Sequence, residues 1–217
     1  MNKNYFSNFI KELSFKEQIY ERIKRLIVLN KLRPGDKLVE VNLAKLMNIS
    51  RGPIREALNR LDVEGYVDII PNKGTIVHNV YQKEVSDTFD FFNIIYYQLI
   101  ISVIDKISNI ELNPYIEELQ NITANGNDKH TLMNIKINHD TGFYQFLLSK
   151  NKNEVFARSM RYLQGKIHWY RNISKLERPI ENSINDRLEI FISIKEKDRK
   201  MIYKAVSKNS KNKKKYS

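Results

Sequence analysis

The chain has 217 residues, of which 41% are hydrophobic, and a formal net charge of +12. This length suits two modest domains, and the hydrophobic fraction excludes wholesale disorder. There is no cysteine, which excludes disulfides, thiolate-bound zinc and thiol catalysis.

The positive charge is concentrated at the two ends of the chain. Residues 1–80 carry 14 Lys and Arg against 9 Asp and Glu, and residues 204–217 carry 6 lysines and no acidic residue. Residues 81–203 are nearly balanced, with 17 basic and 16 acidic residues. A polyanionic partner for the first 80 residues fits this distribution, although charge alone does not identify it.

No segment has the pattern of a signal peptide or a membrane span. The most apolar run, from Phe89 to Ile104, is shorter than the ~20 residues that a membrane span needs, and polar residues interrupt it. We therefore predict a cytoplasmic protein with no membrane partner.

The first predicted helix begins at a capping box formed by Ser14 and Glu17. Apolar residues then recur at helical spacing, at Phe15, Ile19, Ile23, Leu26 and Ile27. Turn residues at 32–36 end this helix, and Leu38 and Val39 have the composition of a very short strand.

Two more helices and a hairpin follow. The second helix is predicted over residues 42–47, with Asn48 in a left-handed turn. The third has Ser50 as its cap, Pro53 in its first turn and Gly65 after its end. Its buried stripe is predicted to be Ile54, Ala57, Leu58 and Leu61. Residues 66–70 and 75–79 are predicted strands, joined by a hairpin loop at 71–74.

The rest of the chain has only helical patterns. We predict helices over 83–107, 112–124, 130–149, 152–171, 180–195 and 198–209. The first is apolar nearly all round, which indicates the centre of a bundle, or a helix that serves both a core and a partner interface. The predicted fold is mainly α: a winged helix-turn-helix domain over 13–80, an all-α bundle over 81–209, and a basic disordered tail over 210–217.

The order helix, turn, helix, wing brings arginines to the start of a helix that can enter a DNA major groove. Arg51 and Arg55 lie four residues apart there, and Lys73 and Gly74 lie at the wing tip. Plain surface arginines on a structural helix remain the alternative. The predicted DNA-binding residues are Ser50, Arg51, Gly52, Pro53, Arg55, Asn59, Arg60, Lys73 and Gly74.

Residues 15–78 resemble the winged helix-turn-helix of the GntR family. The resemblance rests on LRPGDKL at 32–38, SRGPIREALNRL at 50–61, EGYV at 64–67 and PNKGTIV at 71–77. It implies that Arg51 and Arg55 contact operator bases and that the wing glycine enters the minor groove. Some members of the family have another DNA-contacting arginine where this chain has Val41.

The helical half resembles the FCD domain of the FadR branch of that family. That resemblance implies dimerisation and binding of a small molecule, which many FCD domains hold through a metal bound by one Asp and three His. The aspartate corresponds to Asp140, but the histidine positions hold Tyr144, Arg187 and Asn209. Because arginine cannot bind a metal and Tyr and Asn are poor ligands here, we predict no metal and no other cofactor.

The same substitutions lead to a hypothesis about the effector. Arg187 would project toward the mapped metal position, face Asp140, and bind that carboxylate, a carboxylate ligand, or both. The alternative is a solvated Arg187 and a decayed pocket. The candidate effector residues are Asn93, Tyr97, Asp140, Tyr144, Arg187 and Asn209. Aromatic residues nearby, among them Tyr96, Phe143 and Trp169, would favour a more apolar metabolite, or they form plain core.

These patterns predict a homodimeric transcriptional regulator, most simply a repressor, that binds an inverted-repeat DNA operator and responds to a small molecule. The alternative is a DNA-binding protein whose helical domain only dimerises. An enzyme is not predicted, because the sequence has no nucleophile and base pair, no phosphate-binding glycine loop and no carboxylates clustered with histidine.

Overall fold

The structure is a computed structural model that describes residues 14–124, 129–173 and 180–211. It divides into two compact units. The first comprises the chain up to Tyr81 together with His168–Ile173, and the second comprises the remainder, beginning at Gln82.

The first unit contains three helices and a three-stranded antiparallel sheet. In chain order its elements are α1 (Phe15–Val28), β1 (Lys37–Leu38), α2 (Glu40–Met47), α3 (Arg51–Val63), β2 (Val67–Ile70) and β3 (Gly74–Val77). The strand order is β1-β3-β2, with Ile69 opposite Thr75 in the hairpin. The predicted winged helix-turn-helix fold is confirmed. The second helix begins at Glu40, two residues before the predicted start.

Helices α1 and α3 pack against each other to form most of the core of this unit. The buried residues of α3 are the four predicted ones, Ile54, Ala57, Leu58 and Leu61. In α1 the buried residues are Ile19, Tyr20, Ile23 and Ile27. Phe15 belongs to the same series of apolar residues at helical spacing, but its side chain is 57% exposed.

Local sequence signals account for most of the helix ends. The backbone N–H of Glu17 donates to Ser14 Oγ at 3.3 Å, so the serine caps α1. Asn48 has φ 53°, a left-handed conformation that asparagine tolerates, and it turns the chain from α2 into α3. Gly65 has φ 69° just beyond the end of α3. Ser50 occupies the N-cap position of α3, but its side chain makes no capping hydrogen bond.

The second unit is helical throughout the residues that the structure describes. Its helices are α4 (Gln82–Val103), α5 (Asn109–Ala124), α6 (Lys129–Asn151), α7 (Glu154–Ile173), α8 (Ile180–Lys195) and α9 (Arg199–Lys211), except that the end of α7, from His168 onward, belongs to the first unit. The first ends earlier than predicted and passes into a 3₁₀ turn at Ile104–Lys106. Helix α9 continues to Lys211, two residues beyond the predicted end of this helix, and the rest of the predicted tail, residues 212–217, lies outside the described residues.

Helix α4 packs against α6 and α9, and α8 packs against α5, α6 and α9. The core of the unit is aromatic: Tyr96 stacks on Phe92 with ring centroids 5.6 Å apart, and Tyr144 meets Tyr96 edge-on at 5.1 Å. Among the residues that the structure describes, none of the helices combines the length and apolar character that a bilayer crossing requires.

Candidate functional site

The N-terminal end of α3 presents two arginines to solvent. Arg51 is the first residue of the helix and Arg55 lies one turn later, and their side chains are 58% and 60% exposed. The opposite side of the helix is held in the core by Ile54 and Leu58. The buried side therefore fixes which way the two guanidinium groups face.

Both arginines bind one carboxylate, that of Glu40 at the start of α2. Arg55 donates from Nε to Oε1 at 3.1 Å and from Nη2 to Oε2 at 3.0 Å, and Arg51 donates from Nη2 to Oε2 at 3.2 Å. The hydrogen bonds from Arg55, and then those from Arg51, hold the pKa of Glu40 below its usual value. Glu40 was not predicted at this site, because the predicted helix began at residue 42 and only the packing of α2 against α3 brings the acid to the arginines.

The other residues predicted at this end of the helix are also accessible. Gly52 and Asn59 are exposed and Pro53 is half-buried. A methyl group added at Gly52 would meet no other atom within 4 Å. The fold therefore does not require a glycine at this position.

Arg60, which is also among the predicted DNA-binding residues, does not share this face. Five residues after Arg55, it lies on the other side of α3 and stacks on the Tyr20 ring at 3.6 Å. It also pairs with Glu17 at 2.6 Å and Glu64 at 3.3 Å. These contacts give Arg60 a structural role between α1 and α3.

The wing contains a further exposed cationic residue, Lys73. Lys73 in the hairpin loop and Gly74, the first residue of β3, are both exposed, and φ is 62° at Asn72 and 93° at Gly74. A side chain at Gly74 would be strained by this conformation. The exposed Lys37 on β1 reaches the wing, with its Cε 3.7 Å from the place of a Cβ on Gly74. Lys37 was not singled out from the sequence, because only strand pairing brings it here.

Comparison with known proteins identifies this unit. The family model described as bacterial regulatory proteins, gntR family, matches residues 15–77. The N-terminal domain belongs to the gntR family. The match covers both arginines, Glu40 and the wing, so the helix and hairpin described above are those of a gntR-type DNA-binding domain.

The similarity to one relative extends beyond this gntR domain. The chain is 23% identical to the HTH-type transcriptional regulator YdhC of Bacillus subtilis (strain 168), over 84% of this chain and 81% of that protein. YdhC and McbR of Escherichia coli (strain K12) are both named as HTH-type transcriptional regulators, so the chain with this gntR-type N-terminal domain is a DNA-binding transcriptional regulator rather than an enzyme.

Two solved structures share the fold. A putative transcriptional regulator GntR from Rhodococcus sp. RHA1 aligns with a TM-score of 0.73 at 14% identity, covering 92% of this chain and 95% of that one. E. coli McbR/YncC aligns with a TM-score of 0.69 at 19% identity, with the same coverage. At these identities the likeness concerns the fold, a gntR domain joined to a helical C-terminal part.

The helical unit of this gntR-type regulator contains a buried charged cluster. Arg187 is 4% exposed and Asp140 is 1% exposed, and Nε of Arg187 lies 2.9 Å from Oδ1 of Asp140. Arg187 also donates to the hydroxyls of Tyr96 and, at 2.8 Å, Tyr144. Arg187 therefore faces Asp140, as the sequence mapping predicts, and the alternative of a solvated Arg187 is wrong.

A lysine completes this cluster. Lys136, one turn before Asp140 on α6, is buried and donates to Asp140 Oδ2 at 2.7 Å. Burial disfavours the charged form of Arg187, but the Asp140 carboxylate together with Tyr144 and Tyr96 outweighs burial and raises the pKa of Arg187 well above its usual value. Burial raises the pKa of Tyr96, which keeps its hydroxyl neutral. Sequence periodicity missed Lys136 because a lysine at such spacing is usually exposed.

The other predicted effector residues are distributed differently. Tyr97 meets Tyr203 edge-on at 5.5 Å, so its predicted place beside Arg187 is taken by its neighbour Tyr96. Asn93 is buried on α4, one turn before Tyr97. Asn209 lies in α9, but its side chain is outside the described residues.

The predicted aromatic pocket is also divided. Trp169 belongs to the first unit, where its ring lies 5.3 Å from that of Tyr66. Phe143 packs edge-on against Phe191 at 4.5 Å in the second unit. The aromatic residues that contact the charged cluster are therefore Tyr96 and Tyr144.

Proposed function

We propose that this gntR-type regulator is a cytoplasmic repressor that reads a specific inverted-repeat DNA operator as a homodimer. The observation that carries the proposal is the pair of exposed guanidinium groups of Arg51 and Arg55 at the N-terminal end of α3. Each can offer two parallel N–H groups to O6 and N7 of guanine, and the positive end of the helix favours a nearby phosphate.

Homodimerisation is supported by an apolar face on α4 that is exposed among the residues described in the structure. Phe91 and Ile94 lie three residues apart on this helix and are 51% and 60% exposed. One short recognition helix reads too few bases for a unique site, and two-fold symmetry doubles the number read. A second copy of the chain that covers this face would satisfy both requirements.

We propose a small carboxylate as the effector, bound near Arg187 and Lys136. Two buried cations, Arg187 and Lys136, lie within 2.9 Å of the Asp140 carboxylate, and charged groups of this kind bind carboxylates through strong hydrogen bonds. An apolar metabolite would instead use the rings of Tyr96 and Tyr144. Tyr144 and Arg187 do not fit a divalent metal at the mapped ligand positions, so the proposal includes no metal and no other cofactor.

One observation favours the alternative, in which the helical unit only dimerises. Arg187 already binds three internal groups, Asp140, Tyr96 and Tyr144. A carboxylate ligand would have to compete with these contacts or displace Asp140. In this alternative, DNA binding is independent of small molecules.

Two experiments test these proposals. Selection of bound duplexes from a random library should recover an inverted repeat with guanines in each half-site. Recovery of no preferred sequence would reject the proposal that the protein reads a specific operator.

Thermal-shift measurements with a panel of small carboxylates, made on the natural protein and on Arg187→Met, distinguish a helical unit that binds an effector from one that only dimerises. A shift lost in the variant supports the effector, and no shift in either protein supports the alternative.

A further inference from the structure

Glu40 stands between the two arginines that face solvent. Its carboxylate accepts three hydrogen bonds, two from Arg55 and one from Arg51, at 3.0–3.2 Å. The arginines remain more than half exposed, while the Glu40 side chain is only 25% exposed. The acid therefore lies behind the guanidinium groups and leaves their outer sides to solvent.

The geometry determines which side of Arg55 is free. A guanidinium group has two edges that can form paired hydrogen bonds, one made by Nε and Nη2 and one made by Nη1 and Nη2. Glu40 takes the first edge of Arg55. Within the part of the chain that the structure describes, the second edge has no partner. This second edge has the geometry that pairs with O6 and N7 of guanine.

The ion pairs of Glu40 with Arg51 and Arg55 also reduce the positive charge of the surface that we propose faces the DNA. Because the pKa of Glu40 is below its usual value, the carboxylate stays ionised at neutral pH, and the three residues together carry a charge of +1 instead of +2. A smaller positive charge weakens the attraction to the phosphate groups of DNA, and this attraction is the same for every DNA sequence. Fixed guanidinium edges strengthen discrimination between bases, because less side-chain freedom is lost on binding.

We infer that Glu40 is a positioning residue for DNA reading: it holds Arg51 and Arg55 with one guanidinium edge directed outward, and it lowers affinity for non-target DNA. The inference rests on the proposed operator reading and assigns Glu40 the role of setting specificity without contacting a base.

Two substitutions of Glu40 separate its charge from its geometry. Glu40→Gln keeps the length and removes the charge, whereas Glu40→Asp keeps the charge but shortens the side chain by one methylene. Glu56→Gln is the matched control. It removes one negative charge from α3, where Glu56 pairs with the exposed Lys16 at 2.7 Å and, among the described residues, with neither arginine.

The experiment uses full-length protein and two duplexes, the sequence selected by the natural protein and a scrambled version, with affinities measured by fluorescence anisotropy at several salt concentrations. The ratio of the two affinities should fall about tenfold in Glu40→Gln and Glu40→Asp, the size of one lost arginine–guanine contact. Affinity for the scrambled duplex should rise in Glu40→Gln and stay unchanged in Glu40→Asp. Glu56→Gln should change both affinities by the same factor and keep the ratio.

The opposite results would overturn the inference. If both Glu40 variants keep the natural ratio, or if Glu40→Gln behaves like Glu56→Gln, Glu40 contributes only net charge. An increased ratio in either variant would show that Glu40 competes with DNA for the arginines. Circular dichroism checks that each variant is folded. If the natural protein selects no sequence at all, operator reading fails, and this outcome is distinct from the failure of the role assigned to Glu40.

Discussion

Arg187 and Asp140 form an ion pair in the interior of the helical unit, with Nε 2.9 Å from Oδ1 and both side chains at most 5% exposed. Lys136 approaches the other oxygen of the same carboxylate at 2.7 Å. Within the described residues, this buried acid is thus approached by two buried cations, Lys136 on α6 and Arg187 on α8. Removal of the acid leaves two like charges close together, whereas removal of either base leaves a pair intact.

This asymmetry predicts the effect of substitutions on stability. Asp140→Asn should lower the free energy of unfolding by about 3–5 kcal/mol, because it leaves buried cations without their carboxylate. Arg187→Met should cost less, because Asp140 keeps Lys136. Denaturant unfolding followed by circular dichroism measures both. The control is Glu189→Gln, which breaks the exposed pair with Lys208 and should cost at most about 1 kcal/mol. A loss in Asp140→Asn as small as in this control would contradict the prediction.

A second prediction concerns the arginines of α3. Arg51→Ala and Arg55→Ala should each weaken binding to the selected duplex by about 1–3 kcal/mol and reduce the preference over scrambled DNA. Arg60→Ala should leave that preference unchanged and lower stability instead, because it removes the contacts with Tyr20 and Glu17. Anisotropy titrations with both duplexes measure the preference. Equal losses on both duplexes would mean that Arg51 and Arg55 contact only phosphate.

The sequence predicted the order of the elements because each had a strong local signal. The four apolar residues of α3 recur at helical spacing and are all buried, and Asn48 and Gly65 have the left-handed conformations that their residue types favour. Phe15 continues the apolar spacing of α1 yet is exposed. Spacing fixes the face of a helix, but it does not say how far along that face a packing partner extends.

The candidate sites were harder to predict because they depend on contacts between distant elements. Helical spacing placed Arg51 and Arg55 on one face, but the ion pairs with Glu40 depend on the angle between α2 and α3. The side chains of Tyr96 and Tyr97 leave α4 in directions about 100° apart. Only the packing of α4 in the structure shows that it is the Tyr96 hydroxyl that contacts Arg187.

The apolar face of α4 predicts a change in oligomeric state. Phe91→Asp or Ile94→Asp should convert the proposed dimer to a monomer, because a carboxylate on this face would be desolvated in the interface. Sedimentation velocity measures the change, and affinity for the selected inverted repeat should fall with it. Ile110→Asp is a control on α5, where the isoleucine is 83% exposed, and it should leave the oligomeric state unchanged. Dimers that persist in both α4 variants would place the interface elsewhere.

The last prediction uses two glycines that the fold does not require. Gly52 at the start of α3 and Gly142 in α6 both have open space where a Cβ would lie, with no other atom within 4 Å. Alanine should therefore stabilise the protein at either position by up to about 1 kcal/mol, because glycine is the poorer helix former.

The two substitutions should differ only in DNA binding. A methyl group at Gly52 lies beside Arg51, where the DNA must approach closely, so Gly52→Ala should weaken binding to the selected duplex while raising the thermal unfolding temperature. Gly142→Ala should raise that temperature and leave DNA affinity as it is. If Gly52→Ala binds DNA as tightly as the natural protein, the duplex does not closely approach this end of α3. The proposal that the N-terminal end of α3 contacts the DNA would then be wrong.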